Sequence, residues 1–116
     1  MIKSTIALTV RKLNDQTSVI DIKGDVNAAA DAALADAYAQ ASGHGVKTVI
    51  LNFSGMDYMN SSGIGLLVTL LVRAQRQKQH LRACGLSEHY QEIFNLTRLN
   101  EAIGIFADEA AAASNP

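Results

Sequence analysis

Residues 46–53 read VKTVILNF, residues 54–61 SGMDYMNS, and residues 62–79 SGIGLLVTLLVRAQRQKQ. The first segment is apolar at almost every position from Val49 to Leu51 and ends in Phe53, the pattern of a strand covered on both faces. The second is polar and reads as a loop. The third has helical composition, apolar all round until Val72 and polar from Arg73 onward, so its first half is expected to be buried. A strand, a loop and a helix in this order put the loop at the carboxyl end of a central strand, the edge of an α/β sheet where ligands and partners arrive.

The head of that helix contains a conflict. Gly63 and Gly65 stand inside it, although each costs about 1 kcal/mol relative to alanine. Backbone without side chains is wanted there, either for tight packing on the sheet or for close approach of a partner. The amide groups of Ser62, Gly63 and Ile64 are expected to point outward and favour negative charge. Ser61 is well placed as the N-cap, worth about 1 kcal/mol, yet Asn60, Ser61 and Ser62 are three consecutive candidates where one suffices.

The flanking sequence completes an α/β domain. Residues 5–11, TIALTVR, alternate with Ile6, Leu8 and Val10 on one face, and residues 17–24, TSVIDIKG, place Ile20 and Ile22 inward and Asp21 and Lys23 outward. Asn14 and Asp15 turn the chain between them, so the pair reads as an antiparallel hairpin. After Gly24, Ala30, Leu34, Ala37, Tyr38 and Ala41 form one helical stripe, with Asp25 or Asn27 capping its start and Ser42, Gly43 and Gly45 ending it. HLRACGL is a short strand, SEHYQEIFNLT a helix capped by Ser87, and AIGIFAD a last strand. Asp108 caps the alanine run that follows, and a tail from about residue 112 to 116 is expected to fray. The order is ββαβαβαβα, a mixed central sheet in a single domain over residues 1–116.

Composition narrows the function. Ten basic and eleven acidic residues leave a net charge of −1 with no long run of either sign, which gives nucleic acid and anionic lipid little to hold. Three Phe, three Tyr and no Trp make a base-stacking platform improbable. The amino terminus lacks the apolar core of a signal peptide, and the longest apolar run falls far short of the roughly 20 residues that span a bilayer. A cytoplasmic protein with no inserted segment is expected, with Cys84 as a small buried hydrophobe.

Enzymatic readings find little support. A nucleophilic Ser61 or Ser62 needs a base, His44, His80 and His89 read as surface residues, and no G-x-S-x-G elbow exists. Gly63-Ile64-Gly65 matches part of a dinucleotide fingerprint, but Val68 stands at the third glycine. No two histidines, nor any with Cys84, share a metal-ligand spacing. No catalytic residue, metal or cofactor is expected.

The segment DYMNSSGIGLLVTLL resembles the signature of STAS domains, in particular the free-standing bacterial anti-sigma factor antagonists. The initial hairpin, the Gly24-Asp25-Val26-Asn27 turn, the strand VILNF and the carboxyl-terminal IFNLTRLNEAIGIFADEAAA also fall where that family has comparable segments. The resemblance implies a single STAS-type domain that is not an enzyme and whose phosphoacceptor is Ser61, with Ser62 as the alternative. It also implies a partner-binding surface of Asp25, Asn27, Met59, Asn60, Ser61, Ser62, Gly63, Ile64 and Gly65. In the family the unmodified protein binds an anti-sigma factor serine/threonine kinase, a histidine-kinase-like ATPase, and thereby frees a sigma factor. Phosphorylation by that kinase ends the binding, and a metal-dependent serine phosphatase resets the cycle. The chain departs from the pattern at Asn60 and Asn27, where the family commonly carries Asp, and both changes remove negative charge near Ser61. The alternative is a STAS regulatory or scaffold subunit of a transporter or sensory complex without a sigma-factor partner.

Overall fold

The computed structural model describes residues 6–43 and 45–114. Five strands, β1 (Ala7–Asn14), β2 (Thr17–Val26), β3 (Thr48–Met59), β4 (His80–Cys84) and β5 (Gly104–Phe106), alternate with helices α1 (Asp31–Ala41), α2 (Ser61–Arg76), α3 (Glu88–Leu96) and α4 (Glu109–Ser114). The sheet order is β1-β2-β3-β4-β5, with β1 antiparallel to β2 and the other neighbours parallel. The expected order and mixed sheet are thus present.

Each crossover from β2 to β5 steps to the next strand in the same direction. Right-handed connection then puts α1, α2 and α3 on one face of the sheet. That face carries the main core: Ile20, Ile22, Val49, Leu51, Leu81 and Ala83 from the strands meet Leu34, Tyr38, Leu67, Leu70 and Phe94 from the helices. The expected α1 stripe is buried at all five positions, each at most 4 % exposed. A single 3₁₀ turn, Ala28–Ala30, precedes α1, and Asn27 caps it by accepting from the Ala29 amide at 2.9 Å; Asp25 instead belongs to β2. Tyr38 donates to Gln79 at 2.8 Å, and Gln79 in turn donates to the carbonyls of Ser42 and Val46, tying α1 to the turn before β4.

The opposite face is only partly covered. The α4 helix lies across it, with Ala112 packed on Val19, Ile50 and Cys84. The frayed tail expected from residue 112 is corrected for residues 112–114: Asp108 accepts from the Ala111 amide at 2.8 Å, and Ala112 is fully buried. Burial pushes the Cys84 thiol up to about 11, so it behaves as an inert hydrophobe. Arg11 bridges Asp21 and Glu109, pinning α4 to the hairpin, and Asn52 donates to Asp21 at 2.8 Å.

The Arg11 hydrogen bond holds the Asp21 carboxyl below its ordinary value, against the opposing effect of burial and with help from Asn52. A carboxylate depressed in the folded state adds stability above its unfolded pKa and loses it as pH falls through the folded one. The midpoint of thermal unfolding should therefore drop on acidification below about pH 4. In Asp21→Asn this acid slope should be shallower; an identical slope would show that Asp21 is not a major contributor.

Two features differ from the sequence reading. Residues 54–59 are not a loop: β3 continues to Met59, paired with β2 through Lys23↔Gly55, Gly24↔Met56, Asp25↔Tyr58 and Val26↔Met59. The backbone of β2 beyond Asp21 needs a partner, and two register shifts let β3 follow it, helped by Gly24 at φ 88°. The first half of α2 is also not buried all round. Gly63, Leu67, Leu70 and Ala74 face the core, whereas Gly65, Val68, Thr69 and Val72 are exposed.

Candidate functional site at the amino end of helix α2

The extended β2–β3 ribbon delivers the chain directly to α2. The Asn60 amide donates to the Val26 carbonyl at 3.2 Å, so the start of the helix is bonded to the end of β2. Asn60, not Ser61, is the N-cap: its backbone is extended and its side-chain oxygen accepts from the Gly63 amide at 3.0 Å. The Ile64 amide donates to the Asn60 carbonyl at 3.1 Å. Of the three amides expected to point outward, those of Gly63 and Ile64 are therefore satisfied within the helix. At this helix end the amides of Ser61 and Ser62 make no hydrogen bond among the described residues.

Asparagine and aspartate cap helices about equally well, so Asn60 performs the structural task that the family's Asp would perform, without its charge. Ser61 is then the first residue of the helix. Its hydroxyl and that of Ser62 are exposed and make no hydrogen bond among the described residues. Asn60→Ala should cost about 1 kcal/mol of stability, whereas Ser61→Ala should change it by less than about 0.5 kcal/mol. Urea denaturation of both variants checks this, and a larger loss in Ser61→Ala would return the capping role to the serine.

The two glycines divide the alternatives between them. A Cβ on Gly63 would lie 2.3 Å from the Val26 carbonyl oxygen and 2.8 Å from Met59 Cγ, so Gly63 serves packing. A Cβ on Gly65 would meet nothing within 4 Å. Gly65 lies on the open surface, in line with Ser61, Val68, Thr69 and Val72 at helical spacing.

The expected partner surface is thereby reshaped. Ser61, Ser62 and Gly65 are exposed, and Asp25, Asn27, Asn60 and Ile64 are half-buried around them. Met59 and Gly63 are corrected to interior positions: Met59 is 4 % exposed beneath Gly63, and its amide donates to the Tyr90 hydroxyl at 3.0 Å. They shape the site from below. Missed from the sequence were Tyr58, 53 % exposed at the end of β3, and Val68 and Val72, each 41 % exposed on α2. The signal for Val68 and Val72 was the i, i+3, i+7 series with Gly65, obscured by an otherwise apolar segment.

No hydrogen bond joins Ser61 or Ser62 to a histidine among the described residues. His80 and His89 are exposed on β4 and α3, and His44 lies outside the described residues. Among the described residues no group of three His, Cys, Asp or Glu could hold a metal ion, and no helix is long and apolar enough to cross a membrane.

The family model described as "Mlab, STAS domain" matches residues 9–106. Among solved structures, an anti-sigma factor antagonist from Mycobacterium paratuberculosis superposes with a TM-score of 0.79 at 16 % identity, covering 94 % of this chain and 92 % of that one. The Bacillus cell fate determinant SpoIIAA in its phosphorylated form gives 0.65 at 22 % identity, covering 90 % and 96 %. A sulfate transporter family protein from Wolinella succinogenes gives 0.72 at 17 % identity, covering 90 % and 87 %. At these identities the structures share the fold, and the family match spans most of the sequence: the chain belongs to the STAS domain family.

Proposed function

We propose that this protein is an anti-sigma factor antagonist whose binding to a serine/threonine kinase of the histidine-kinase-like ATPase type is switched by phosphorylation of Ser61, regulating transcription. The observation that carries the reading is that the Ser61 hydroxyl has no structural task. Asn60 caps the helix, and Ser61 stands exposed and unpartnered one residue further on. A phosphate at that place meets the free amides of Ser61 and Ser62 and the positive end of the α2 dipole, so the domain tolerates it. Neutral Asn60 and Asn27 add no repulsion. The surface that continues from it along α2, Gly65, Val68 and Val72, is apolar and open, which suits a partner that a new dianion would repel.

The likeness to phosphorylated SpoIIAA supports this reading. On it the protein supplies a hydroxyl and a docking face and no catalysis; ATP, Mg²⁺ and the base belong to the kinase. A metal-dependent serine phosphatase returns it to the binding form, and the cycle runs in the cytoplasm.

The likeness to the Wolinella sulfate transporter family protein favours one second reading, a regulatory or scaffold subunit of a transporter or sensory complex that uses the same surface. Affinity purification of the tagged protein from its host, with phosphosite mapping by mass spectrometry, separates the two. Recovery of a histidine-kinase-like ATPase with the unmodified form, together with phosphate on Ser61, is expected. A transporter ATPase or multi-domain sensor, with Ser61 unmodified under all conditions, would overturn the antagonist reading.

A further inference from the structure

Beyond Asn52 the two sides of β3 differ. Its pairing with β4 ends at Asn52↔Cys84, whereas its pairing with β2 continues to Val26↔Met59. Successive amides of a strand point to alternate sides. The Asn60 amide turns toward β2 and donates to the Val26 carbonyl, so the Met59 amide turns away, to the side that β4 has left. Met59 is 4 % exposed, and a buried amide without a partner is costly. The acceptor that meets it is a side chain: the Tyr90 hydroxyl, at 3.0 Å.

The local sequence of α3 aims that hydroxyl. Ser87 caps the helix and accepts from the Tyr90 amide at 3.4 Å. One turn after Tyr90, on the same face, Phe94 is fully buried with its ring centroid 6.2 Å from that of Phe53. Tyr90 is half-buried against the main core, with its polar tip at the end of β3. The junction into α2 is consequently held from both sides, Asn60 by β2 and Met59 by α3. Ser61 is the next residue.

We propose that Tyr90 is a positioning residue for the Ser61 switch. Its hydroxyl pins Met59, and through Met59 and Asn60 it fixes where the Ser61 hydroxyl stands relative to the docking face of α2. Misplacing a reacting group by about 1 Å costs about a hundredfold in rate. The docking face at Gly65, Val68 and Val72 lies beyond the pinned segment and keeps its shape without Tyr90. This rests on the antagonist reading of Ser61, and Tyr90 acts in it through the backbone rather than on the reacting atoms.

Tyr90→Phe, which removes one oxygen atom, tests it in the full chain. With the ATPase recovered by affinity purification, kcat for phosphate transfer to Ser61 should fall at least about tenfold while KM stays within about twofold. In backbone amide relaxation the order parameters of Ser61 and Ser62 should fall from about 0.85 to below about 0.6, with those of Ile50 and Leu51 unchanged. Tyr38→Phe is the control: it loses a comparable hydroxyl bond, to Gln79 at the other end of the parallel strands, so Tm should drop with kcat unchanged. Unchanged kcat with unchanged order parameters in Tyr90→Phe would overturn the proposal. So would an equal loss of kcat in Tyr38→Phe, a rise in KM alone, or failure of Tyr90→Phe to fold, since each marks a structural or docking role instead. A parent protein that accepts no phosphate from the ATPase counts against the antagonist reading, and the order parameters then decide the role of Tyr90 alone.

Discussion

Gly63→Ala is expected to destabilise the domain by about 3 kcal/mol, roughly 10 °C in Tm, although the same change inside an ordinary helix is stabilising. The added Cβ would fall 2.3 Å from a backbone oxygen of β2 and 2.8 Å from Met59 Cγ. Met59 could swing aside, but the Val26 carbonyl cannot: it accepts the Asn60 amide, and its residue is paired with Met59 in the sheet. The start of α2 must therefore lift from the end of β2, breaking the junction that positions Ser61. Gly65→Ala is the internal control. With open space around the new methyl, it should gain up to about 1 kcal/mol from helix propensity. Thermal unfolding of the two variants side by side checks both signs, and equal shifts would contradict the division of labour between the glycines. Gly65→Ala also separates stability from binding, since a partner seated against this surface would feel the methyl even as the fold tightens.

Ser61→Glu should weaken binding to the partner kinase by more than about a hundredfold, and Ser61→Ala should leave it intact; a loss of about 3 kcal/mol suffices. Ser61 precedes Gly65 by one helical turn and Val68 by two, so a carboxylate at Ser61 enters the rim of an apolar contact. Desolvating it there without a counter-charge is costly, and no Lys or Arg belongs to this patch on α2 before Arg73. The fold should hardly register the change, because acidic residues are favoured in the first turn and the Asn60 cap is untouched. Surface plasmon resonance with the kinase, paired with urea denaturation, reads the two effects apart. Equal affinity of Ser61→Ala and Ser61→Glu would reject the switch at this position, and a loss confined to Ser62→Glu would move it to Ser62.

The element order, the hairpin, the α1 stripe and the caps at Asn27, Ser87 and Asp108 are all visible in the sequence, because each depends on neighbours a few residues away. Periods of 2 and 3.6 and a side chain reaching three residues along the backbone are local properties. The STAS signature likewise marked residues 57–71, where the conspicuous serines and glycines lie. What failed were the readings at the junction of β3 and α2, which depended on a distant segment. Residues 54–59 look like a loop until β2, which they follow through two register shifts, is beside them.

The same reason separates the two glycines. Nothing near Gly63 or Gly65 in the chain tells them apart; the Val26 carbonyl beneath one and the empty space beside the other do. Asn60 rather than Ser61 became the cap because β3 runs unbroken to Met59 and fixes where the helix begins. Local pattern therefore determined which segments are strands and helices and where a hydroxyl switch was to be sought. Tertiary packing decided which residues of that segment are structural and which are free to act, since a side chain's exposure depends on what the rest of the chain lays against it.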